Sequence, residues 1–236
     1  MEIIRIDLNG VNCYLGKQDG NFILFDTGGH LIMDKQFDNR YDTLLNWLKT
    51  YDCTPKNLKL IVLTHGDNDH AANALMLREN FGAKIAIHKN DRALVENPDI
   101  DMIMKSFKYR SILFKFIFGI MNKQIKKITL KTLEEYNERG KFTPDIYLSD
   151  GDSLNEYGFD ARVIHMPGHT HGSIGILTGE HDLIAGDTFA NIRKPEAAPN
   201  AVDFKQLSES IRKIKTEQIN KVYPGHGIPF TFTLHK

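Results

Sequence analysis

Four apolar, strand-like runs in this chain break off at a histidine or an aspartate beside a glycine, and that recurrence narrows the fold more than any other feature. They are "KLIVLTHGDNDH" (59–70), "ARVIHMPGH" (161–169), "DLIAGD" (182–187) and "KVYPGHG" (221–227). An apolar run of this length reads as a buried strand. Ordinary loops have no reason to end repeatedly in His or Asp flanked by Gly. Strand ends that carry such groups converge most readily along one edge of a layered α/β domain, where open sheets bind ligands.

The stretches between these runs agree with that architecture. Residues 3–8, 11–15 and 21–29 are β-rich and separated by Asn, Gly and Asp, which read as turns. Helical spacing of apolar residues predicts helices over 40–51, 70–82 (closed by Gly82) and 203–216. Further strands are expected at 83–88 and 173–179. No linker or repeat divides the chain, so 1–236 reads as a single domain. With 41% apolar and 25% charged residues the composition is that of a soluble globular protein, and a net charge of zero names no partner. Two isolated cysteines, Cys13 and Cys53, make no disulfide framework. No signal peptide is visible, and no apolar run reaches the roughly 18 residues of a membrane span. A cytoplasmic location is the expectation.

Within "LTHGDNDHAAN", His65, Asp67, Asp69 and His70 lie at offsets 0, 2, 4 and 5. A strand followed by a tight Gly-containing turn can aim all four at one space. Each has a plainer reading when taken singly. Asp69 is a good helix N-cap, and Gly66-Asp67-Asn68 is a good turn. His169, Asp187 and His226 on the other strand ends weaken that reading. Seven imidazole and carboxylate groups suit two divalent ions: zinc, iron or manganese.

At this point the chain resembles the metallo-β-lactamase-fold hydrolases. Their His-x-His-x-Asp-His signature is matched by His65, Asp69 and His70, with Asp67 in place of the second His. "PGHTHGS" is similar to the family's Pro-Gly-His-Thr-Pro-Gly-Ser segment, with His171 in place of Pro. "AGDTF" and "YPGHG" resemble the segments of the bridging Asp and the last His. "FDTGG" resembles an early turn in which Asp26 is a structural hydrogen-bonding residue. The resemblance implies an αββα sandwich and a dinuclear site. His65 and His169 would hold one metal with Asp67 as candidate third ligand. Asp69, His70 and His226 would hold the other, and Asp187 with a hydroxide would bridge them. It also implies a metal-dependent hydrolase in which that hydroxide cleaves an ester, a thioester or a related carbonyl bond, with Asp69 as proton shuttle. Zinc is the first expectation. Asp67 lowers the charge of the site and adds a hard oxygen, which favours iron or manganese. Phosphodiester or phosphomonoester hydrolysis is the alternative with the same metals. A diiron protein that reduces oxygen or nitric oxide is an alternative of another class, although its fused flavin domain has no room here.

One segment departs from the pattern. Residues 100–131 hold eight basic residues against one acidic, a local charge of +7, and include the apolar "ILFKFIFGIM" (112–121). The expectation is a helical insertion over 100–140 that packs on the core or caps the cleft. As a cap, its apolar side chains would grip a small-molecule substrate and its lysines would draw in an anionic part. Contact with an anionic membrane surface is a further reading, while nucleic acid is not expected. No Tyr follows Asp187 closely, unlike in the family's lactonases, which leaves Tyr223 or His171 as candidate carbonyl donors. The basic glutathione-binding tail of the hydroxyacylglutathione hydrolases is not evident either. Substrate-binding residues and oligomeric state do not emerge from the sequence.

Overall fold

The computed structural model of the chain describes residues 1–31, 34, 36–106 and 108–232, without the side chains of Ser106, Phe114 and Arg139. Two sheets face each other. The first holds β1 (Glu2–Asp7), β2 (Asn12–Gln18), β3 (Asn21–Phe25), β4 (Leu58–Val62), β5 (Lys84–His88) and β6 (Ile146–Leu148) in sequential order. Its β1–β3 part is an antiparallel meander, and β3 to β6 run parallel. The second sheet has β7 (Ala161–His165), β8 (Ile174–Thr178) and β9 (Asp182–Asn191), followed by β11 (Lys221–Gly227) parallel to β9 and β12 (Phe230–Thr231) at the edge. A short β10 (Glu196–Ala197) also pairs with β9.

Strand alternation builds the layers. In β4, Leu60 and Val62 face the second sheet and pack with Phe25, Val163, Ile176 and Ile184. Ile61 between them faces out, into a cluster with Leu44 and Leu48 of α1 (Tyr41–Thr50). On the far side, Leu177 and Leu183 meet Ile214 of α7 (Phe204–Ile214). Asp203 caps α7 by accepting from the Lys205 and Gln206 amides. The result is the αββα sandwich that the resemblance implied.

The helix expected over 70–82 is divided. α2 (Asn68–Ala71) is one turn, and α3 (Ala74–Phe81) begins only after Asn73. Asn73 is buried and its side chain donates to the carbonyls of Thr27 (2.8 Å) and Asn39 (2.7 Å). That cross-link pins α2 under the β3 loop. Gly29 is required there, because a Cβ would lie 2.1 Å from the Asn68 carbonyl oxygen.

Between β5 and β6 come α4 (Arg92–Glu96), α5 (Ile100–Ser106) and the long α6 (Ile112–Arg139). Ile125, Thr129 and Tyr136 bury one side of α6. Among the described residues no helix is long and apolar enough to cross a membrane.

Candidate metal centre

The loop after β4 is anchored on Asp26, the residue that follows β3 and a non-glycine with φ at 60°. Such a conformation is costly for a residue with a Cβ and persists only where the surroundings impose it. Here the Asp26 carboxylate accepts from the Thr64 amide (2.7 Å), the Thr64 hydroxyl (2.8 Å) and Nδ1 of His70 (3.0 Å). It thereby locks the strand end from which His65 and His70 project. Asp67 stands at the N-cap position of α2, yet its side chain makes no capping bond.

All four histidines follow one rule. Each has Nδ1 tied off: His65 to the Thr64 hydroxyl (3.0 Å), His70 to Asp26, His169 to the Asn200 carbonyl (3.1 Å) and His226 to the Gly10 carbonyl (2.6 Å). The Thr64 hydroxyl donates to Asp26, so it accepts from His65. Every Nδ1 therefore carries a proton, and Nε2 is the atom turned inward.

The Nε2 atoms meet three carboxylates. An Asp67 oxygen lies 3.1 Å from His169 and 3.9 Å from His65. An Asp69 oxygen lies 3.7 Å from His70 and 3.5 Å from His226. Asp187 sits between these groups, 3.3 Å from His70, 3.2 Å from His226 and 3.7 Å from His169. Among the described residues three sets of three ligand-type atoms lie within 4.8 Å of one another: His65/Asp67/His169, Asp69/His70/His226, and Asp26/His65/His70, in which Asp26 is already taken up by Thr64 and His70 Nδ1. The structure thus brings all seven sequence-selected residues together.

These groups fit a pair of divalent ions. His65 Nε2, His70 Nε2 and Asp187 Oδ1 are buried and have no hydrogen-bond partner, an unfavourable state for polar atoms unless something else binds them. Gly225 leaves room for Asp187, since a Cβ there would stand 1.9 Å from Asp187 Oδ1.

Metal-free electrostatics point the same way. Burial, and next the neighbouring His70, push His65 down to about 4. Burial also works against a charged His169, but its bond to Asp67 and the charges of Asp187 and Asp67 outweigh it and hold it at about 9. His226 reaches about 10, against burial, through Asp187 and Asp69. Burial would raise Asp69, yet His70 and His226 pull it down to about 2, and the same two histidines hold Asp187 well below the usual carboxylate range. The cluster holds negative charge that protons balance until a cation replaces them.

Several supporting residues escaped the sequence reading. Asp91 is buried and accepts from the Gly66 amide (3.0 Å), the Gly172 amide (2.7 Å) and the Thr170 hydroxyl (2.6 Å). It clamps the His65 loop to the His169 loop. Burial, the foremost cause, pushes its carboxyl up to about 6. Asn12 and Tyr14 of β2 reach across to the Pro224 carbonyl and so hold the His226 loop. All three read as turn or strand residues in the sequence, because no local pattern reports a partner some eighty or two hundred residues away.

The centre opens into a cavity of about 220 Å³. Asp67, Asp69, His169, Asp187 and His226 form its polar end. Leu94, Ile103, Leu133, Tyr136, Phe189 and Ile192 line the remainder, with Thr129 and Thr132 of α6. Among the described residues no lysine or arginine lines it. The basic residues of the insertion, expected to draw an anionic part inward, are exposed outside it. Neither proposed carbonyl donor lines the cavity. The Tyr223 hydroxyl donates to Asp182 (3.1 Å), and His171 belongs to an outer groove with Asn90 and His165.

Residues 6–226 match the metallo-β-lactamase superfamily, and the chain belongs to it. It is a metal-dependent hydrolase of that superfamily. Among individual proteins, the chain is similar to the hydroxyacylglutathione hydrolase GloC of Haemophilus influenzae, 27% identical over 234 residues that cover 96% of this chain and 90% of the relative. In fold it is similar to the BLEG-1 B3 metallo-β-lactamase, with a TM-score of 0.66 at 23% identity, covering 98% of this chain and 94% of the other. A protein solved in a di-iron-bound form gives a TM-score of 0.63 at 21% identity, with the same two coverages of 98% and 94%.

Proposed function

We propose that this hydrolase cleaves carboxylic esters or thioesters whose acyl part is apolar. His65, Asp67 and His169 would hold one divalent ion, Asp69, His70 and His226 a second, and Asp187 would be shared. Zinc is the first candidate, and iron or manganese, favoured by the Asp67 oxygen, the second. The observation that carries the reading is the apolar cavity that opens from the seven-residue centre under α6, the helix we take as its cap. When bound, such a pair of ions supplies Lewis acidity and a water acidified toward neutrality. The chain does the rest. Leu133, Tyr136 and Phe189 exclude water around the acyl group and set it against the polar end. Asp69, ionised and open to the cavity, takes the proton of the attacking water and passes it to the leaving group. The Haemophilus relative, by its name, acts on an acyl group carried by a thiol, which supports acyl chemistry. Among the described residues a phosphate ester would meet no lysine or arginine in this cavity, so that alternative is not favoured.

A panel of chromogenic acyl esters, acyl thioesters and phosphate esters, run beside metal analysis, tests this. Acyl substrates should turn over better as the chain lengthens from acetyl. Chelation or Asp187→Ala should remove activity by roughly a hundredfold or more. Cleavage of phosphate esters alone by the metal-loaded protein would overturn the acyl assignment.

A further inference from the structure

The exposed side of α6 is a feature the reaction does not use. Ile112, Leu113, Phe116 and Ile120 are 84%, 64%, 66% and 71% exposed, with Ile117 beside them. Residues three and four apart share a helix face, so Ile112, Phe116 and Ile120 form one stripe. Three residues on, the same stripe continues as Lys123, Lys127 and Lys131, all exposed. Lys115 and Lys126 flank it, and Lys105, Lys108 and Arg110 are exposed at its foot.

This apolar stripe is not the by-product of an undocked helix. The other side is packed: Ile125 and Thr129 are buried, and Phe118 stacks on Tyr109 with ring centres 4.1 Å apart. The chain just before α6 is held as well, because the Arg110 amide donates to the Pro199 carbonyl (3.1 Å) and the Ala201 amide to the Lys108 carbonyl (3.1 Å). Core contacts thus fix which side faces outward.

Apolar side chains over the first turns and lysines further along the same stripe suit a helix whose first turns dip into a bilayer surface while the following lysines stay at headgroup level. Among the described residues no helix is long and apolar enough to span it. The local charge of +7 over 100–131, in a chain of net charge zero, complements an anionic leaflet. We propose that this face of α6 docks on an anionic lipid bilayer. Ile112, Leu113, Phe116 and Ile120 enter the acyl boundary, and Lys123, Lys126 and Lys127 lie among the headgroups. A soluble acidic protein would answer the lysines but not the four bare apolar side chains.

The test is co-sedimentation of the full chain with phosphatidylcholine vesicles, with and without phosphatidylserine. Two exposed-face variants accompany it: Ile112→Glu with Phe116→Glu, and Lys123→Glu with Lys127→Glu. The wild-type chain should partition onto the serine-lipid vesicles, less so as salt is raised. Each double variant should lose roughly tenfold or more of that partitioning. Turnover of a short soluble ester should stay unchanged, since none of the four residues lines the cavity. Absence of partitioning, or equal partitioning of wild type and both variants, overturns the proposal. So does a wild-type dimer in solution that Ile112→Glu with Phe116→Glu dissolves while no vesicle binding is found, because a second copy would then cover the face.

Discussion

Gly225 shows how finely single positions set the centre. It precedes His226 on β11, and its missing side chain is the space that the Asp187 carboxylate uses. A methyl group there would also come within 2.8 Å of His70 Cε1. We expect Gly225→Ala to leave the sandwich folded but to displace Asp187, so that bound metal falls from two ions per chain toward one and acyl turnover drops by about a hundredfold. Metal analysis beside circular dichroism checks this. Gly119→Ala, where a Cβ meets nothing within 4 Å, is the control and should change neither quantity. At this scale the ligand-type residues were legible in the sequence. Metal chemistry restricts them to a few residue types, and the strand ends place them. Asp91, Asn12 and Tyr14 were not legible, because a buried hydrogen-bonding residue draws its meaning from a distant partner. Asp67 lies between the two. The sequence marks it as a substituted ligand position, and the structure adds that its carboxylate stands within reach of His65 and His169.

Among the elements, apolar runs and helical spacing identified most strands and helices of the sandwich, but not β6, β10 and β12, which are too short to carry a pattern. The break at 72–73 follows from Asn73, whose side chain binds backbone across the β3 loop and divides the helix where apolar spacing runs on. The insertion was legible as helical and basic, but which of its sides meets the centre is a tertiary fact. Leu133 and the buried Tyr136 take the inner side, one and two turns beyond Thr129. Under the proposed acyl reaction, this placement would make α6 the element that sets acyl length. Leu133→Trp should fill the inner cavity and lower kcat/KM for the longest accepted acyl chain by roughly ten- to 200-fold or more, the lower bound being what a single misfitted methylene commands. The acetyl substrate should be nearly unaffected. A series of acyl lengths measures it, and an equal loss at every length would place the long chain outside this cavity.

For the whole molecule, the candidate metal centre joins the two sheets. β4 and the α2 turn bring His65, Asp67, Asp69 and His70 from one sheet, and β9 and β11 bring Asp187 and His226 from the other. The β7–β8 loop of that second sheet adds His169. A cation bound there ties the halves together, so stability and metal occupancy must be linked. At a thousandfold excess of metal over its Kd the gain is about 4 kcal/mol, or roughly 8–16 °C in Tm for a chain of this size. The pH dependence has a definite sign. In the metal-free protein His169 and His226 are raised to about 9 and about 10, above the unfolded value near 6.5. Their contribution to stability is therefore complete below about 6.5 and is lost as the pH climbs through about 9 to 10. Chelated protein should melt progressively lower across that window. Bound metal displaces those protons, so its own stabilisation should grow over the same range. Melting curves of chelated and metal-loaded protein, taken from neutral pH to about pH 10, should therefore diverge as the pH rises. Curves that stay parallel would mean that His169 and His226 hold no extra protons when the metal is absent, and that Asp67, Asp69 and Asp187 are balanced from elsewhere.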